Sequence, residues 1–133
     1  MKITLIPVYF DPGRDENFDK HLRIVKELLK ADAEFTEPYA LGAALPDADA
    51  VIFPQMLGEA YNKIEVLKTI PLPIMVITSV FGTVNMWDWE VVHYLRLNGI
   101  HTICPPSLDD TKLACRALLV RRLLSRSKFV VYQ

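Results

Sequence analysis

A three-layer α/β domain, with a doubly wound and mostly parallel sheet between helices, is the fold this sequence predicts. Three observations predict it. Short apolar runs recur along the chain, as at Lys2–Tyr9, Ala48–Phe53 and Ile74–Thr78; stretches with apolar residues at spacings of three and four separate them; and Asp, Asn, Gly and Pro mark the joins. Runs that are apolar on both faces suit strands covered by helices on both sides, and strand–helix alternation leaves few packings other than a parallel sheet with crossover helices.

Residues 2–9 read as a buried strand, followed by a polar turn over 10–15 and an amphipathic helix over about 17–31, with Leu22, Val25, Leu28 and Leu29 as its apolar stripe. A short, weak strand over 34–39 is confined to an edge position, because Pro38 has no N–H to give a ladder. A turn closed by Asp47 and Asp49 leads into a third strand ending at Phe53. From 56 to 70, Leu57, Ala60, Tyr61, Ile64 and Leu67 predict another helix, closed by Pro71 and Pro73. A fourth strand covers 74–78. Asn85 then caps a helix running to about Asn98, with Asp88 and Glu90 early, where carboxylates suit the positive end of the helix dipole, and Gly99 ends it.

A fifth strand covers 100–104, Pro105 and Pro106 block further pairing, and Ser107 is set like an N-cap with Asp110 three residues on. In the helix that follows, about 108–125, Leu113, Ala117, Leu118, Val120 and Leu124 are expected inside. Lys112, Arg116, Arg121, Arg122 and Arg126, with Lys128 beyond, form a solvated face or a subunit contact. Residues 128–132 read as a last strand, and a buried strand seldom stops a protein so abruptly. The expected sheet order is flavodoxin-like, within the broader Rossmann-like class.

At 133 residues, 51% apolar, the chain fits one domain with one core, and no repeat, low-complexity tract or internal linker divides it. A formal charge of -1 argues against a nucleic-acid footprint. The start has too short an apolar run for a signal peptide and no stretch approaches the ~20 residues of a membrane span, so a cytoplasmic protein without membrane partners is expected. Cys104 and Cys115, eleven apart with no CxxC, read as reduced packing residues.

Loops at 9–15, 78–85 and 104–107 should gather at the carboxyl edge of the sheet, where open α/β folds bind small molecules. The middle one is the most specific. Gly82 permits close backbone approach, Thr78, Ser79, Thr83 and Asn85 offer hydroxyl and amide groups, and such groups suit sugars and polyols. Trp87 or Trp89 could wall the C–H face of a sugar, but two residues apart on a helix they point about 200° from each other, so at most one faces the loop. The other reading for each is core packing or a subunit interface.

Glu90 and His93 stand in a Glu-x-x-His relation, a metal-ligand spacing present in a single copy, and His21 and His101 read as isolated, solvated or satisfied histidines. There is no G-x-S-x-G elbow, no G-x-x-x-x-G-K-[ST] phosphate loop and no G-x-G-x-x-G. The turn after the first strand, Tyr9-Phe10-Asp11-Pro12-Gly13, is a poor phosphate cradle, since Asp11 repels an anion and proline lacks an N–H. Flavin mononucleotide and a receiver-type acidic cation site are both disfavoured.

The segment Ile77-Thr78-Ser79-Val80-Phe81-Gly82-Thr83-Val84-Asn85-Met86-Trp87-Asp88-Trp89-Glu90, with Cys115-Arg116-Ala117-Leu118 and Ser127-Lys128-Phe129-Val130-Val131-Tyr132-Gln133, resembles the N-terminal domain of the L-fucose/L-arabinose isomerase-like family. The likeness covers most of residues 70–133; before that only the order of strands and helices agrees. It implies aldose–ketose isomerisation by a longer protein of carbohydrate metabolism, with a divalent cation, usually manganese, held by residues of later domains. The implied task of this domain is to assemble a homo-oligomer and present Phe81, Gly82, Asn85, Trp87, Asp88 and Trp89 to a sugar. No catalytic residue, metal ligand set or cofactor of its own is expected in residues 1–133. The alternative is a stand-alone flavodoxin-like module that binds a small ligand or a protein partner.

Overall fold

The structure, a computed structural model, describes residues 2–10, 16–54, 58–77, 86–105 and 107–126. Strand β1 (Ile3–Tyr9) is followed by helix α1 (Glu16–Leu28), strands β2 (Ala33–Phe35), β3 (Tyr39–Ala40) and β4 (Ala50–Phe53), a 3-10 helix over Gly58–Asn62 and the short helix α2 (Ile64–Leu67). Strand β5 (Ile74–Val76), helix α3 (Met86–Leu97), strand β6 (Thr102–Ile103) and helix α4 (Leu108–Arg126) complete it. Among the described residues every strand pairing is parallel, in the order β2-β1-β4-β5-β6, with β3 also on β1. With β2 and β3 counted as one interrupted strand, this is the expected flavodoxin-like order.

Where the sequence predicted one core, alternation along the strands builds two, one on each face of the sheet. Ile3 and Leu5 of β1, Ala50 and Ile52 of β4 and Met75 of β5 face Phe18, Leu22 and Val25 of α1 with Cys115 and Leu118 of α4. Their neighbours Ile6, Val8, Val51, Phe53, Ile74 and Val76 face Val91, Val92 and Leu95 of α3 with Ala60 and Leu67. A strand whose successive residues enter opposite cores must be apolar throughout, which is why these runs show no polar alternation.

The interruption between β2 and β3 follows from Pro7. Ile3 donates its N–H to the Asp32 carbonyl (3.2 Å), while the carbonyls of Leu5 and Tyr9 accept from Thr36 (3.0 Å) and Leu41 (2.8 Å). The odd-numbered residues of β1 therefore turn their polar groups toward β2 and β3. Pro7 is the odd-numbered residue with no N–H to give, and it falls where that edge is unpaired between Phe35 and Tyr39.

Two further expectations are corrected. The helix expected over 56–70 divides into the 3-10 helix and α2. Lys63 leaves helical geometry at φ -116° and its N–H bonds to the Ala60 carbonyl, three residues back. Gly58 and Asn62, both weak helix formers, open and close the 3-10 helix before the break, and the tighter winding still delivers Ala60, Tyr61, Ile64 and Leu67 to one core. In α4 the buried residues are Thr111, Cys115 and Leu118, whereas Leu113, Val120 and Leu124 are more than half exposed and Ala117 is also outside. The strand expected over 128–132 lies outside the described residues.

Helix ends follow sequence chemistry closely. Gly99, at φ +80°, closes α3: its N–H bonds to Arg96 and that of Ile100 to Leu95, both at 3.0 Å, while Leu95 and Ile100 pack in the same core. Ser107 caps α4, accepting from the Asp110 N–H at 3.1 Å and donating to the Asp110 carboxylate at 2.9 Å. No helix among the described residues is long and apolar enough to cross a membrane.

Candidate functional site

Parallel topology sets the strand ends and helix starts together. At the carboxyl edge of the sheet stand the ends of β1, β4, β5 and β6 and the first turns of α1, α3 and α4. The described residues there include a set of packed aromatic rings. Tyr9 meets Phe18 edge-on at 5.8 Å, and Phe10 lies against Phe53 at 5.6 Å, with Phe10, Phe18 and Phe53 all buried. These rings pack together as apolar surface at the strand ends.

His21 reaches this edge from α1, where its Nε2 lies 2.6 Å from the carbonyl oxygen of Ile77, the residue just after β5. The distance fits the tautomer in which Nε2–H donates to the carbonyl. Of the two sequence readings of His21, solvated or satisfied, the geometry favours the second, but its place beside the end of β5 was missed. The signal was present: positions 18, 21, 22, 25 and 29 follow helical spacing, so His21 shares the inward side of α1 with Phe18 and Leu22.

Phe81, Gly82 and Asn85 lie outside the described residues. Trp87, Asp88 and Trp89 belong to the first turn of α3, which begins at Met86, directly after the position expected for its cap. The side chains of these three are likewise outside the described set. The structure thus gives the addresses of the segment's two ends, the close of β5 and the start of α3, at one edge of the sheet.

The electrostatics of the described helix starts disfavour an anion. Glu16 and Asp19 occupy the first turn of α1, and Asp109 and Asp110 that of α4. These carboxylates already meet the positive ends of the two dipoles, so a phosphate there would face like charge. A neutral ligand rich in hydroxyls suffers no such penalty.

Among the described residues no group of three or more His, Cys, Asp or Glu side chains comes together to hold a metal ion. Glu90 and His93 are both exposed on α3. The resemblance places its manganese on residues of later domains, outside this chain.

At the opposite, amino edge a cavity of about 550 Å³ opens between α4 and the turns preceding β5 and β6, lined by Leu67, Leu72, Ile100 and Ala117 with Lys68, His101 and Arg121. The ends of α2 and α3 lie beside it, and the positive charges of Lys68 and Arg121 suit helix C-termini. It lies at the edge opposite the carboxyl ends of the strands. No protein-family model matches the sequence, and no curated protein matches it either.

Proposed function

We propose that this chain is the substrate-contact and assembly domain of a sugar (aldose–ketose) isomerase-like protein, a homo-oligomer, and is not catalytic on its own. The observation that carries the reading is the address of residues 77–90. This segment, on which the family resemblance rests, joins the end of β5 to the first turn of α3 at the edge where open α/β sheets take ligands. Supporting it, the carboxylates at the neighbouring helix starts favour an uncharged ligand.

Isomerisation needs a metal-polarised carbonyl and a base between two carbons. In this reading residues beyond this domain supply both, and Phe81, Gly82, Asn85, Trp87, Asp88 and Trp89 contribute hydrogen bonds and an apolar wall to the sugar. The chain's two tryptophans both lie in this segment, so their fluorescence reports on it directly. Titrating the 133-residue chain with aldoses, ketoses and sugar alcohols should give a saturable emission change that is lost in Asn85→Ala. An emission spectrum indifferent to every sugar refutes the contact role. Conversion of any aldose by the chain with manganese added refutes the claim that it is not catalytic alone.

A further inference from the structure

Helix α4 is apolar on two opposite sides. Thr111, Cys115 and Leu118 face the core, while Leu113, Ala117, Val120 and Leu124 face outward, with exposures of 57% for Leu113 and 53% for Val120 and Leu124. The outward set is spaced four, three and four, which is the seam of a heptad pattern and spans about 16 Å at 1.5 Å per residue. A solvated helix face does not call for such a seam, and a contiguous apolar stripe of this kind marks an interaction surface.

We propose that a second copy of this chain docks on this stripe, α4 against α4, antiparallel about a two-fold axis between positions 118 and 119. Self-complementarity is the first argument. In that register Leu113 meets Leu124 of the second copy and Ala117 meets its Val120, and symmetry makes each contact twice. Alanine opposite valine lets the helices approach closely at the centre, with leucines closing both ends.

Charge is the second argument. α4 begins with Asp109 and Asp110 and ends among Arg121, Arg122 and Arg126. Antiparallel pairing runs the acidic start of one helix along the basic end of the other and opposes the two dipoles, whereas parallel pairing sets like beside like. On the flanks the register brings Arg116 toward Leu123 and Arg121 toward Ala114 of the second copy. No arginine meets an arginine, and the aliphatic stems of both extend the apolar contact.

The inference deepens the assembly half of the function proposed above and is independent of the sugar-contact half. Sedimentation of the 133-residue chain from about 1 to about 100 μM should show a concentration-dependent dimer, a range that covers modest affinities. Val120→Asp should raise its dissociation constant at least about tenfold while leaving thermal unfolding of the monomer unchanged, because the side chain is exposed. Mild oxidation of a mixture of Ala117→Cys and Val120→Cys chains should cross-link one variant to the other in preference to either with itself. A chain that stays monomeric throughout, a dimer indifferent to Val120→Asp, or self-linked Ala117→Cys pairs would each overturn the proposal, the last by indicating parallel docking. A monomer whose tryptophans still respond to sugar would remove the dimer and spare the sugar contact; a dimer blind to sugar would do the reverse.

Discussion

The two edges of the sheet are held by different chemistry. At the amino edge a polar staple joins distant parts of the chain. One Asp49 carboxylate oxygen accepts from the Thr4 N–H at 2.7 Å and from Arg122 Nη1 at 3.0 Å, and Arg122 Nη2 donates to the Lys2 carbonyl at 2.9 Å. At the carboxyl edge the described contacts include rings on rings, a histidine on a carbonyl and the Ser107–Asp110 cap of α4. The first edge fixes where α4 lies against β1 and β4. The second packs aromatic rings at the strand ends. The polar staple and the segment proposed to contact sugar thus stand at opposite ends of the same strands.

Breaking the staple should have the largest effect. The Asp49 and Arg122 side chains are 8% and 18% exposed, so Asp49→Ala leaves a half-buried guanidinium and a backbone N–H without their acceptor. Loss of one partner from such a pair costs about 3 kcal/mol, which corresponds to roughly 10 °C in melting temperature for a domain of this size. The Asp49→Ala, Arg122→Met double variant should recover part of the loss. A drop below about 1 kcal/mol in Asp49→Ala would reduce the staple to an ordinary surface pair.

At the other edge the expected effect is smaller. His21→Ala removes one hydrogen bond to a carbonyl and should cost about 1 kcal/mol in denaturant unfolding. His93→Ala, on the exposed side of α3, is the control and should stay within about 0.5 kcal/mol. If both variants behave alike, the contact between α1 and the end of β5 contributes nothing to this edge.

Much of the fold was legible because buried parallel strands leave a strong signal: residues that enter two cores must be apolar in succession, as Val51, Ile52 and Phe53 do. Gly99 and Ser107 were equally readable, since each acts through backbone groups within a few residues. Long-range partners were not. In α4 the leucine-rich stripe looked like the core face, but the face that packs carries Thr111, whose hydroxyl donates to the Ser107 carbonyl at 2.7 Å, and Arg122, whose charge meets Asp49 seventy-three residues away. Polar residues that find such partners can be buried, and a periodicity count cannot foresee it. The candidate site was legible as an address, the segment between β5 and α3, because topology fixes that.

The two cysteines sharpen the contrast on the smallest scale. Cys104 stands just after β6, toward the carboxyl edge, at 8% exposure, whereas Cys115 lies at 1% on the inner side of α4. Burial first, and then the negative charge of Asp32, push the Cys115 thiol from 9.0 up to about 11. A thiolate is the reactive form, so in the native chain at pH 8 an alkylating agent should modify Cys104 before Cys115. The same shift carries a pH dependence of known sign. Below pH 9 the thiol is protonated in both folded and unfolded chains, and its contribution is fully present. Between 9 and about 11 the unfolded chain gives up this proton while the native one keeps it, so stability falls as pH rises through that window. Compared with Cys115→Ala, the parent chain should lose stability more steeply between pH 9 and 11 and show the same slope below it. Parallel curves across the whole range would mean that Cys115 sits in a wetter place than the inner face of α4.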